Sequence, residues 1–105
     1  MKECKITVLK KMFNEDLVEE YGQPDIHKGP CPHCTAGQEF IVRSALDRPE
    51  KFCGWAWNDM EKILMTAWLE GNFDPWMNND SEFITCCTYG LEPVVFKVER
   101  IEDEC

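Results

Sequence analysis

Nothing in this chain is both long and apolar. No hydrophobic run approaches the roughly 20 residues that a membrane-spanning helix requires, which argues against a transmembrane segment. Basic residues are scarce as well: 11 Lys and Arg stand against 20 Asp and Glu, a formal net charge of −9. A surface of that sign repels phosphate backbones and anionic lipid, so nucleic acid and membranes are set aside as partners. Histidine is limited to His27 and His33, both in one stretch, which leaves little support for histidine-based acid–base catalysis. A single Cys-x-x-Cys occurs, so the second motif that would complete a four-cysteine zinc signature is missing. The chain also has no glycine-rich phosphate loop, no Ser-His-Asp arrangement and no metalloprotease signature.

Cysteine, by contrast, is plentiful: Cys4, Cys31, Cys34, Cys53, Cys86, Cys87 and Cys105 fall within 105 residues. That length bounds one domain, 1–105, with a single modest core. An apolar fraction of 44% and four tryptophans argue against disorder. The N-terminal MKECKITVLKKMF alternates charged with apolar residues and does not read as a secretory signal. The expectation is therefore a cytoplasmic chain in reducing surroundings. Disulfides are rare there, and dense cysteine points to metal binding or thiol chemistry. In a secreted chain the same count would read as a disulfide framework with one thiol left over. A third explanation needs no site at all, because free cysteine packs in cores as a small hydrophobe.

Periodicity divides the chain into elements. Residues 4–9 alternate and are rich in β-branched side chains, which predicts a strand. Asn14 is placed to cap a short helix over 15–21, with Gly22 to stop it. Residues 23–37 hold three prolines and two glycines and read as a loop, followed by a strand over 38–43. Trp57, Met60, Ile63, Leu64, Ala67 and Trp68 then recur at three- and four-residue steps. They predict one long amphipathic helix over 55–70, ended by Gly71. A turn-rich loop covers 72–81, and 82–87 with 93–101 predict a hairpin. The order β-α-β-α-β-β implies an α+β domain: a mostly antiparallel sheet of four strands with the long helix packed on one face. The acidic end, 99–105, reads as a strand end passing into solvent.

Three readings compete for Cys31-Pro32-His33-Cys34. A thioredoxin-like dithiol needs a helix opening at the motif, to stabilise the attacking thiolate, and 35–37 leave no room for one. Pro93, ahead of a strand, is the one feature that resembles the proline facing such a dithiol. A metal knuckle needs two further ligands, to be drawn from Cys53, Cys86 or Cys87, His33 and His27. A proline-shaped turn with incidental thiols is the third reading.

Cys53 lies just ahead of the predicted helix, where the dipole argument that fails for Cys31 would apply. Its competing role is a small capping residue. Cys86 and Cys87 are neighbours in a predicted strand and so point to opposite faces, Phe83, Thr85 and Cys87 on one, Ile84 and Cys86 on the other. One of the two therefore belongs to packing alone. Cys4 alternates with Ile6 and Val8 and reads as core, and Cys105 is terminal. Trp57 and Trp68 fit the core stripe, while Trp55 and Trp76 are placed to cover the helix ends.

Four strings, CKITVLKKMFNEDLVEEY, GPCP…GQEFIV, FCGWAWNDM and ITCCTYGLEPVVFKVERIED, carry a resemblance over nearly the whole chain. Together they resemble a family of small bacterial and archaeal proteins of unassigned function. The resemblance implies that Cys31, Cys53, Trp55, Trp57, Cys86, Cys87, Gly90, Pro93 and Phe96 stand at motif positions. It implies no activity. The family pattern does not require cysteine at the place of Cys34. Its hairpin turn carries Asp-Gly followed by arginine, where Tyr89 and Glu92 stand here.

The leading expectation is a thiolate site formed by Cys31, Cys53 and Cys86 or Cys87 near the helix N-terminus, binding a soft metal or carrying reactive thiols. Thiolates select zinc, Cu(I) or iron–sulfur clusters, with zinc first. The second expectation is a non-catalytic interaction module, a homo-oligomer or accessory subunit, with core cysteines and an apolar patch around Trp76. A thiol–disulfide or sulfur-transfer enzyme is the third.

Overall fold

A computed structural model describes residues 1–101; residues 102–105, with Cys105 and the end of the acidic tail, lie outside it. Four strands, β1 (Cys4–Lys11), β2 (Glu39–Val42), β3 (Glu82–Cys86) and β4 (Val94–Arg100), form one sheet in the order β2-β1-β4-β3. Every neighbouring pair is antiparallel. Three helices accompany it: α1 (Glu15–Tyr21), α2 (Gly54–Asp59) and α3 (Glu61–Trp68). The chain is thus α+β, with a four-stranded antiparallel sheet. No helix among the described residues is long and apolar enough to cross a membrane.

The sheet's inner face follows from period-two alternation. Cys4, Ile6 and Val8 of β1, Val42 of β2 and Val94, Phe96 and Val98 of β4 are all buried. Ala56, Met60, Leu64 and Ala67 of the helical segment complete this core, and α3 packs across β1 and β4. The opposite face keeps Lys5, Glu39, Lys97 and Glu99 in ion pairs, with Ile41 and Ile84 exposed.

The single long helix expected over 55–70 is two helices. Met60 interrupts it, with φ −107° and ψ 11°, outside the helical region. The residues just before it, Asn58 and Asp59, are weak helix formers whose side chains compete for hydrogen bonds. The Asp59 carboxylate is committed elsewhere, accepting the Thr88 backbone N–H at 2.8 Å. Hydrogen bonds from Met60 N–H to the Ala56 carbonyl and from Leu64 N–H to the Met60 carbonyl span the break. The buried stripe therefore runs through it, which is why the periodicity gave no warning.

The end of α3 differs in detail from the glycine stop expected. Glu70, not Gly71, takes the left-handed conformation, at φ 64°. Glu70 N–H donates to the Ala67 carbonyl and Gly71 N–H to the Thr66 carbonyl, a Schellman arrangement. Gly71 is needed for proximity: a Cβ there would meet Thr66 Cγ2 at 2.9 Å. Asn14 likewise precedes α1 as expected but makes no side-chain cap; its amide reaches the Gly90 carbonyl on the β3–β4 connection.

Cys4 is core, as its alternation predicts. Burial pushes its thiol from the ordinary 9.0 up to about 11, against a smaller opposing effect of the Arg100 guanidinium. Above pH 9 the unfolded chain ionises at this residue while the folded chain does not. Stability is therefore expected to fall as pH rises from 9 to 11, by up to about 2 to 3 kcal/mol. Urea unfolding across that window measures it, and Cys4→Ala should flatten the decline; an unchanged decline would refute the assignment.

Candidate functional site

The site begins with an irregularity in β1. Val8 pairs with Phe96, but Lys10 pairs with Val95 and Lys11 with Val94. Leu9 is the extra residue of a β-bulge, and it shifts the alternation by one. Lys11 consequently shares the inner side with Val94. Its ammonium donates to the carbonyl of Cys31 at 3.1 Å and of Cys34 at 2.8 Å. One cation thus clamps both ends of the Cys-Pro-His-Cys turn. No helix opens at this turn, so the dipole that a thioredoxin-like dithiol requires is lacking there.

The parity argument for β3 separates the vicinal pair. Cys86 pairs with Val95 and is exposed on the outer side of the sheet. Cys87 is half-buried and packs against the core. Its N–H donates to the Val94 carbonyl at 3.1 Å, and its sulfur accepts the Val94 N–H at 3.3 Å. Thr88, next in the chain, is pinned from α2: Trp55 Nε1 donates to its hydroxyl at 2.9 Å and Asp59 accepts its N–H. Cys53 is the residue before α2, exposed, with no side-chain capping bond. Because α2 has only six residues, the dipole expected to stabilise a Cys53 thiolate is that of a short helix rather than of a four-turn one.

Three distant segments thereby meet. Cys31 and Cys34 from the loop, Cys53 from the start of α2 and Cys87 from the end of β3 line one cavity of about 40 Å³, with the rings of Phe40, Phe52 and Phe96. Lys51 and His33 complete its polar lining. That volume accommodates a water- or ion-sized occupant. Burial raises the Cys34 thiol above its ordinary range. The neighbouring Cys31 adds to the rise, through its charge and a hydrogen bond, as does Cys87, while the Lys11 ammonium opposes it. Of the thiols expected to converge, Cys31, Cys53 and Cys87 do so. Cys86 does not, and Cys34 joins them. Among the described residues no three His, Cys, Asp or Glu side chains stand in a ready metal-ligand geometry.

A second, larger cleft of about 470 Å³ adjoins the first and shares Cys31, His33, Cys53 and Cys87 with it. Its far wall holds a group that composition did not single out. The Tyr89 hydroxyl lies 2.8 Å from His27 Nε2, and His27 Nδ1 lies 3.5 Å from the Glu92 carboxylate. These residues come from the 23–38 loop and the β3–β4 connection, a separation of more than 60 positions, and only the fold brings them together. Trp76, expected to anchor an apolar patch, is 79% exposed in the 72–81 loop. Compared with protein-family models, curated proteins and solved structures, the chain matches none.

Proposed function

We propose that the chain binds a soft metal ion, zinc first, through Cys31, Cys34, Cys53 and Cys87. The observation that carries this reading is the convergence of four thiols from three chain segments on one small cavity. Cysteines serving only as core filler would be dispersed, as Cys4 is, buried in β1 and away from this cavity. Thiolates prefer Zn²⁺, Cu(I) and iron–sulfur centres over hard cations. Lys11 and Lys51 bring positive charge to the cavity and Val94 N–H already donates to the Cys87 sulfur, whereas burial keeps Cys34 a thiol until a metal displaces its proton. A tetrahedral zinc site needs four such sulfurs at about 2.3 Å from the ion, so binding would draw Cys31, Cys34, Cys53 and Cys87 closer together than they stand without metal. Binding displaces thiol protons and so weakens as pH falls.

The test is a thiol count. Metal-free chain, reduced and unfolded, titrates seven cysteines with a disulfide reagent. Folded chain with stoichiometric zinc is expected to shield Cys31, Cys34, Cys53 and Cys87 from that reagent and to release them on adding a chelator. Mass spectrometry of the labelled chain identifies which are shielded. Labelling of these four that is indifferent to zinc would sink the proposal. Zinc-independent oxidation confined to Cys31 and Cys34 would favour the thiol–disulfide reading instead.

A further inference from the structure

The larger cleft presents two aromatic rings whose polar edges are already occupied. Trp55 spends its indole N–H on Thr88, and Tyr89 places its hydroxyl against His27. What each has left to offer is a ring face, and both are accessible: Trp55 is 65% exposed and Tyr89 38%. Their centroids lie 6.5 Å apart with the planes tilted by 45°, forming a wedge at the cleft. Behind it stands Glu92. Its side chain is only 10% exposed, and His27 Nδ1 lies 3.5 Å from its carboxylate. A nearly buried carboxylate lining the same cleft as two fixed aromatic faces is complementary to a cation. The net charge of −9 attracts cations to the protein as a whole.

We propose that this cleft binds an organic ammonium ion, its charged head against Trp55 and Tyr89 and within reach of Glu92. The volume of about 470 Å³ suits a small molecule. The proposal does not rest on metal binding, but the two cavities share Cys31, Cys53 and Cys87, so its test is run on metal-free chain.

Choline is the probe, paired with its uncharged carbon isostere, in which a tert-butyl group replaces the trimethylammonium head. Calorimetric titration of metal-free chain in chelator keeps the outcome separate from that of the metal reading. Choline is expected to bind about tenfold or more tightly than the isostere, and to shift the Trp55 indole N–H resonance. Glu92→Gln and Trp55→Leu should each remove most of that preference. Tyr89→Phe, which keeps the ring, should preserve it. If Trp55→Leu does not fold, Trp55→Met, which also lacks a ring face, and Glu92→Gln decide the matter. Ethanolamine in place of choline distinguishes a primary from a quaternary head. Equal affinity for choline and its isostere, no binding of any of the three, or a preference that survives both Glu92→Gln and the Trp55 variant would overturn the proposal.

Discussion

Saturating zinc is expected to raise the unfolding free energy by about 4 kcal/mol once the free ion exceeds its dissociation constant a thousandfold, and Cys87→Ser is expected to remove most of that gain. Cys87 is the decisive position because its neighbour supplies the control. Cys86 is adjacent in sequence, chemically identical and on the opposite side of the sheet. Cys86→Ser should therefore leave the zinc-dependent gain unchanged. Both substitutions replace sulfur by oxygen, which lowers affinity for a soft ion with little change in shape. Urea unfolding of each variant, with zinc and with chelator, separates the metal effect from any intrinsic cost of the substitution. Metal binding by cysteines of the unfolded chain would reduce the gain in every variant alike, so the contrast between Cys86 and Cys87 is the quantity to read. Equal gains in the two variants would show that the cavity thiols do not hold the ion.

That Cys86 and Cys87 face opposite ways was legible from alternation alone; which of them joins Cys31 and Cys53, and that Cys34 and Lys11 stand there too, was not. Period two places Cys86 and Cys87 on opposite faces wherever 82–87 is a strand, and alternation marks β1 and both strands of the hairpin, β3 and β4. Two local deviations then decide what the site contains. The bulge at Leu9 turns Lys11 inward to hold the Cys31 and Cys34 carbonyls. In a regular strand 4–11, Lys11 would fall on the face of Lys5 and Thr7. The interruption at Met60 lets Asp59 hold Thr88, and Thr88 in turn holds Trp55. A helical stripe is unchanged by a break that keeps its apolar phase, so Met60, Leu64 and Ala67 carry no trace of it. The His27–Tyr89–Glu92 group is invisible for a different reason: its members lie in loops, without periodicity, and only the tertiary fold closes the distance.

Phe52→Ala is expected to cost about 3 to 5 kcal/mol, a large part of the roughly 5 to 15 kcal/mol that holds a domain together. Phe52 precedes α2 outside any regular element, yet it is only 2% exposed. It meets Phe40 edge-on at 4.9 Å, Trp57 at 6.0 Å and Phe96 at 5.7 Å. These contacts join β2, α2 and β4 beneath the thiol cavity, so one ring ties the sheet to the segment that carries Cys53. Truncation removes the buried area and all three ring contacts at once. Phe52→Leu, which keeps most of the volume, should cost much less. The midpoint of urea unfolding is expected to drop sharply in Phe52→Ala, with the slope unchanged, and zinc should restore less of the loss than it adds to the parent chain, because the cavity wall has moved. A cost for Phe52→Ala no larger than that of an exposed change such as Trp76→Ala would mean that this ring is not what seats Cys53 beside Cys31, Cys34 and Cys87.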